Sequence, residues 1–423
     1  MNKGVQAALV LSFGIAAASP AAADVRRPTP AVETDYTMVS MPDFLNADIA
    51  DVSDSPLWQP GDPNGISPSY TASLDTVLDD VDQWDVTDVL IAGDLVEGRW
   101  GRDDSSTGIF GPVETEAQKV AALGRAARQY YPEAKGRFTS RGMKIHAAVG
   151  DHEIGDNNWS AFGSPYERFK HRHVNDFKAQ WAKYFTNRGT RYVRHPSGTN
   201  HDATAYSVKL APEILLVTVD VFRRTPTEVV ASIKGGQMTW LESVLANAKA
   251  KGIDWVIVQG HTPVAGPVRY QNSSRLMYEN GTDSKFWRVM KEYGVDLYLA
   301  GEVHDTTALV PSGGGPIQIS HGGLFHLGRF SYMVCDFSGE TLRLQTRAFN
   351  ASVDTADGYL WQTDRDQMLP SSVTYQPGSF VTGTMTVDKD GDVLGRSGAL
   401  DLYDPSPTAL RLRAQVNANS MKF

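Results

Sequence analysis

Between residues 36 and 301, short apolar runs alternate with stretches of helical periodicity. "YTMVSM" (36–41), "DVLIAG" (88–93), "KIHAAVG" (144–150), "EILLVTVDV" (213–221), "DWVIVQG" (254–260) and "VDLYLAG" (295–301) are too short for helices and are bounded by turn residues. They predict buried strands. Between them, "SLDTVLDDVDQW" (73–84) sets Leu74, Val77, Leu78 and Val81 on one helical face. "EAQKVAALGRAARQYY" (116–131), "YERFKHRHVNDFKAQWAKYF" (166–185), "GQMTWLESVLANAKAKG" (236–252) and "SKFWRVMKEYG" (284–294) predict further helices, the fourth of these five closed by Gly252. Strands alternating with helices predict an α/β core. Beyond about residue 305 the helices stop. "GPIQISHGG", "SYMVCDF" and "TLRLQTRAF" read as successive strands, and 379–403 as hairpins turning at Asp390 and Gly391. "DKDGD" in that turn lacks the flanking helices and the sixth-position glycine of a calcium loop, so it reads as a plain turn.

Composition narrows the class. The 423 residues are 41% hydrophobic and 21% charged, enough for one large domain or two modest ones. The net charge of −9, with no basic tail, gives no signature of nucleic-acid binding. A single cysteine, Cys335, excludes an internal disulfide and reads as a buried core thiol. The N-terminus has Lys3, an apolar stretch from about Val5 to Ala18, and small residues at Ala21, Ala22 and Ala23. That pattern predicts a signal peptide over 1–23 and a periplasmic or secreted protein. The run is too short to span a bilayer comfortably, and no later segment is apolar enough, so no membrane span is expected after cleavage. Residues 24–35 read as a linker, 36–365 as the main domain and 366–423 as a β-rich extension.

The chemistry gathers at the ends of the strands. Asp43, Asn46 and Asp48 follow the first; Asp94 and Glu97 follow the second; Asp151, His152 and Glu153 follow the third. His261 follows "WVIVQG", and Glu302, His304 and Asp305 follow "LYLAG". Ligand sites of open α/β sheets lie beyond the carboxyl ends of strands. Four of these groups come directly after a glycine, which is expected to let the backbone turn so that the next side chain points back over the sheet. Any one of them alone reads more readily as a polar turn than as a ligand. The ordered set, mixing hard oxygen donors with imidazole, suits two metal ions sharing a bridging carboxylate.

These segments resemble the calcineurin-like metallophosphoesterase superfamily, whose ordered pattern is D-x-H, GD, GNH followed by an acid, GH, and GHxH. The matches are "PDFLNAD" (42–48), "GDLVE" (93–97), "GDHE" (150–153), "GH" (260–261) and "GEVH" (301–304), and the resemblance covers about residues 36–350. It implies a four-layer α/β/β/α sandwich of two packed mixed β-sheets flanked by helices, here with a small C-terminal β-hairpin extension. It also implies a metal-dependent phosphoester hydrolase with a dinuclear centre and a metal-held hydroxide as nucleophile. In that pattern Asp94 bridges two ions, Asp43 and His304 hold the first, and Asp151, His261 and Glu302 hold the second. His152 faces the substrate as the catalytic general acid or as a phosphate contact, and Glu153 orients its neighbours. The chain departs from the pattern at three places: Leu45 stands where the first histidine is usual, Asp151 replaces asparagine, and Glu302 replaces histidine. Asn46 or Asp48 is a candidate for the missing donor, and Glu97, Glu153 and His321 are candidates for an additional metal ligand or a supporting role. The added carboxylates favour Mn or Fe over Zn. The basic run 167–173, with Arg168 and Arg172 one turn apart, either recruits an anionic substrate or is a solvated helix face. A different reading also stands: an exported metal- or ligand-binding protein that keeps the fold without turnover.

Overall fold

The computed structural model describes residues 35–44, 68–96, 98, 100–101, 111–186, 192, 194–270, 273–310, 313–323, 330–349, 351–353, 373–375 and 378–401. The predicted signal peptide lies outside them, as do nearly all of the linker, Asn46, Asp48 and Glu97.

In chain order the first half runs β1 (Tyr36–Ser40), α1 (Pro68–Asp82), β2 (Asp88–Ile91), α2 (Glu116–Thr139), β3 (Lys144–Ala147), α3 (Pro165–Phe185), β4 (Tyr206–Ala211) and β5 (Ile214–Thr218). A small hairpin follows, β6 (Phe222–Arg224) and β7 (Val229–Ala231). Then come α4 (Gly235–Ala250), β8 (Trp255–Gln259), α5 (Lys285–Tyr293), β9 (Leu297–Ala300), β10 (Thr307–Leu309) and β11 (Ile317–Ser320). The chain continues with β12 (Phe330–Ser338), β13 (Thr341–Phe349), β14 (Ala351–Val353), β15 (Val373–Tyr375), β16 (Phe380–Asp388) and β17 (Val393–Gly398).

Two mixed sheets carry the fold. The first has the order β17-β16-β13-β12-β1-β2-β3, and the second β10-β11-β9-β8-β5-β4. β1, β2 and β3 are parallel to one another, as are β5, β8, β9 and β11. The C-terminal hairpin pairs through β16 onto β13 and so forms the outer two strands of the first sheet.

Alternation along the strands explains the layers. Met38, Leu90, Ile214, Leu216, Trp255, Ile257, Leu297, Leu299 and Met333 form one apolar cluster drawn from both sheets. Their neighbours Val39, Val89, Ile91, Val217, Val256 and Val258 join a second cluster with Leu78 of α1, Leu123 of α2 and Leu241 of α4. Both faces of the parallel strands are therefore apolar, which is why the sequence shows near-continuous apolar runs. Cys335 is a fully buried member of the inter-sheet cluster, as expected.

One helix differs from its sequence reading. The periodicity was expected to end at Tyr131, before Pro132, but α2 continues to Thr139 with Pro132 inside it. Ala134 and Phe138 are buried on the same face as Tyr130 and Tyr131, and that burial outweighs the backbone bond that proline cannot make.

Candidate active site

The ends of β1, β2 and β3 in one sheet, and of β8 and β9 in the other, converge. Three groups of side chains have ligand-type atoms all within 4.8 Å of one another: Asp43 with Asp94 and His304; Asp94 with Asp151 and His152; and Asp151 with His261 and Glu302. Asp94 and Asp151 each belong to two groups, so the three join into one cluster. His152, expected to face substrate only, is near enough to Asp94 and Asp151 to count among the donors.

The backbone is bent to aim these side chains. Asp43, Asp94, Glu302 and His304 all have positive φ, at 58°, 59°, 71° and 51°. Such conformations cost roughly 1–3 kcal/mol each and persist where the surroundings impose them, commonly at functional sites. This corrects the expected role of the glycines. Among the four that precede the donors, only Gly93 has positive φ; of the donors that follow them, Asp94 and Glu302 take the left-handed turn and Asp151 does not. What Gly150 and Gly301 provide is room. A Cβ on Gly150 would meet Asp94 Oδ1 at 2.1 Å, and one on Gly301 would meet Asp43 Oδ1 at 2.8 Å.

Hydrogen bonds then fix the orientations. The Glu302 N–H donates to Asp43 Oδ1 at 2.9 Å. His261 Nδ1–H donates to the Ala92 carbonyl at 2.8 Å, so Nε2 faces Asp151 Oδ1 at 3.0 Å, Asp94 Oδ2 at 3.3 Å and Glu302 Oε2 at 3.4 Å. An imidazole held through its second nitrogen by a backbone carbonyl is how metal-ligating histidines are usually oriented. Glu302 Oε1 accepts from Ser274 Oγ at 2.6 Å and from the Leu276 N–H at 2.9 Å, leaving Oε2 on the cluster side. Asn157 Nδ2 donates to Asp151 Oδ2 at 2.9 Å, leaving Oδ1 for the cluster. Glu153 is not part of the cluster; its carboxylate accepts from the N–H groups of Gly150, Asp94 and Leu95, tying the β2 and β3 loops together. His152 Nε2 lies 4.0 Å from Asp94 Oδ2 and 3.9 Å from Asp156 Oδ1.

The charge is crowded. Burial pushes the carboxyls of Asp43, Asp94 and Glu302 upward, and the neighbouring Asp151 pushes the same way. Burial also opposes ionisation of Asp151, but His152 and His261 outweigh it and hold Asp151 below the usual carboxylate range. Burial disfavours the charged form of His261, yet Asp94, Asp151 and Glu302 prevail and hold its imidazole protonated well above the ordinary range. Carboxylates pressed this closely together call for cations.

The sequence profile of the family described as calcineurin-like phosphoesterase matches residues 49–306. The chain belongs to this family. As a calcineurin-like phosphoesterase it is a metal-dependent phosphoester hydrolase, and the family carries a dinuclear metal centre. The matched segment contains every cluster residue except Asp43. A comparison with curated proteins gave no match. Similar solved structures include a dimetal phosphatase from Danio rerio, with 14% identity and a TM-score of 0.48, over 74% of this chain and 96% of that one. PhoD has 10% identity and a TM-score of 0.48, over 92% and 77%. A purple acid phosphatase from yellow lupin (Lupinus luteus) has 14% identity and a TM-score of 0.46, over 90% and 58%.

The donor set of this phosphoesterase fits two hard cations. It offers four buried carboxylates and three histidines, and Asp43 Oδ2 is buried without a hydrogen-bond partner among the described residues. His321 stands beside this set. Its Nε2 meets Ser40 Oγ at 2.9 Å, burial pushes its pKa down to about 3, and a Cβ on the adjacent Gly322 would meet Asp43 Oδ2 at 2.6 Å.

The basic run on α3 meets partners within the chain. Arg172 forms a two-pronged ion pair with Glu116, at 2.8 and 2.9 Å, and His173 bonds Glu116 and Asp176. Arg168 donates to the Gly163 carbonyl and Lys170 to the Asp156 carbonyl. The run anchors α3 to its neighbours. Sequence reasoning passed over Asn157 and Ser274, which orient Asp151 and Glu302. Asn157 stood visible in "DHEIGDNNW", but Ser274 lies in a loop with no recognisable pattern.

Proposed function

We propose that this phosphoesterase is exported and that Asp94 is shared between two metal ions. Asp43 and His304 complete one site; Asp151, His261 and Glu302 complete the other. The observation that carries this reading is the membership of Asp94 in two donor groups, one reaching across to each side. Two ions held by these residues would supply Lewis acidity toward the phosphoryl oxygens and would activate water. The chain's own part is to orient and to move a proton. The carbonyl of Ala92, the N–H of Leu276 and the side chains of Ser274 and Asn157 fix which donor atoms face inward. His152 and His304 are each 8% exposed against 0–2% for the other cluster members, and His152 is the one of the two that this reading assigns to substrate rather than to metal. In this reading its Nε2–H protonates the departing oxygen, and Asp156 and Asp94 stabilise the charged imidazole.

The proposal extends to metal and substrate. Carboxylates at 151 and 302 make the centre harder, which favours Mn or an iron-containing pair over Zn. They also balance the charge of two divalent ions, which costs a dianionic monoester more attraction than a monoanionic diester. The test is stripped protein reloaded with Mn, Fe or Zn and assayed on p-nitrophenyl phosphate and its bis-ester. Turnover highest with Mn or Fe, and on the diester, supports the proposal. Bound metal with no turnover on any ester supports the non-catalytic reading.

A further inference from the structure

The four carboxylates raise a question that the α3 cations do not answer. Asp43, Asp94, Asp151 and Glu302 neutralise two divalent ions, so attraction for an anionic substrate needs another positive group near the mouth. Arg168, Lys170 and Arg172 are taken up by their own partners. Arg269 donates to the carbonyls of Thr306 and Ala399. Arg223 bonds Ser232 and pairs with Glu279.

Arg275 is different. The residue before it, Ser274, and the residue after it, Leu276, both donate to Glu302 Oε1, at 2.6 and 2.9 Å. Its backbone is thereby fixed beside a cluster carboxylate. Its φ is 64°, a left-handed conformation that a long side chain rarely adopts. Its guanidinium lies 4.1 Å from the ring centroid of Tyr270, and among the described residues it forms no ion pair. Tyr270 is 37% exposed and Arg275 is half-buried, so the stacked pair is partly open to solvent. A guanidinium stacked on an aromatic face keeps its donor edge available, and that planar edge matches two phosphoryl oxygens.

We propose that Arg275 is the cationic contact for the non-bridging oxygens of the substrate's phosphoryl group, supplying the positive charge that the added carboxylates remove. The inference rests on the hydrolase reading of the same cluster. It makes Arg275 a binding residue, and Tyr270 the residue that holds it ready.

The experiment uses the metal-loaded full chain, with metal content measured for every variant. Calorimetry with inorganic phosphate reads binding directly, and steady-state kinetics on the bis-ester split KM from kcat. Arg275→Ala should weaken phosphate about tenfold, roughly the worth of one charge-assisted contact. It should raise KM more than it lowers kcat, and added guanidinium should restore part of the loss. Arg275→Lys, which keeps the charge and loses the fork, should fall between. Should Arg275→Ala lose metal, Arg275→Gln, which keeps a long polar side chain, takes its place in the same comparison. Unchanged phosphate affinity in a metal-replete variant of an active wild type overturns the role of Arg275. A metal-loaded wild type that neither binds phosphate nor cleaves any ester overturns the hydrolase reading, and this inference with it.

Discussion

The backbone N–H of Glu302, at the end of β9, donates to Asp43 Oδ1, at the end of β1, at 2.9 Å. These strands lie in different sheets, so one hydrogen bond ties together the two halves of the cluster. The second oxygen of Asp43 is buried without a partner among the described residues. Cluster geometry and the packing of the two sheets are thus coupled, and metal should stabilise the fold. Chelation should lower Tm, and reloading should restore it.

Gly150 tests how tightly the cluster is packed. A methyl group there would meet Asp94 Oδ1 at 2.1 Å, the Asp94 nitrogen at 2.5 Å and Glu153 Oε2 at 2.7 Å. Gly150→Ala should displace Asp94 and lose metal while the remote sheet faces stay intact. Elemental analysis alongside far-UV circular dichroism checks this; full metal content in a folded variant would contradict it.

His152 should separate chemistry from metal binding. His152→Ala should retain both metals and slow turnover by roughly 10²–10⁴, the usual worth of a positioned acid. The loss should shrink for p-nitrophenolate, a leaving group that needs no proton. Equal losses for good and poor leaving groups would show that His152 is not the acid, and loss of metal would make it a ligand.

Glu302→His tests the hardness argument. Oε2 of Glu302 lies 3.4 Å from His261 Nε2 and Oε1 is held by Ser274 and Leu276, so the side chain faces the cluster rather than a surface base. The substitution should move the activity ranking toward Zn. A ranking of Mn, Fe and Zn that does not change would show that Glu302 does not set metal preference.

Acid stability has a source elsewhere. Burial opposes ionisation of Asp88, but hydrogen bonds from His146, Thr87 and Tyr36 outweigh it and bring its pKa down to about 2. A depressed carboxyl contributes stability that is complete above its unfolded value, about 3.9, and is lost as pH falls through the folded value. Between about pH 4 and pH 2 the wild type should lose Tm more steeply than Asp88→Asn. Parallel curves would show that Asp88 contributes nothing to acid unfolding.

The fold was legible at the strands of four or more residues that carry a long apolar run. The apolar runs at β1, β2, β3, β5, β8 and β9 mark their strands within a few residues. The short hairpin β6–β7 was not legible, because three-residue strands show no period. The donors were legible because each comes at the end of such a run. What the glycines do was not, since steric room around Gly150 is a property of the assembled loops. Nor were Asn157, Ser274 and Arg275, whose roles depend on contacts across the fold rather than on spacing. The run at 167–173 left two readings open for a related reason: its cations meet Glu116 and backbone carbonyls that no local pattern reveals.

Asp94 carries the central claim, because its carboxylate shares one donor group with Asp43 and another with Asp151. The most direct measurement is metal stoichiometry and bis-ester turnover of Asp94→Asn against wild type, both reloaded under the same conditions. The two-metal account predicts two ions per wild-type chain, at most one in the variant, and abolished hydrolysis in a chain that still folds. A variant that keeps both ions and near-normal turnover would contradict it.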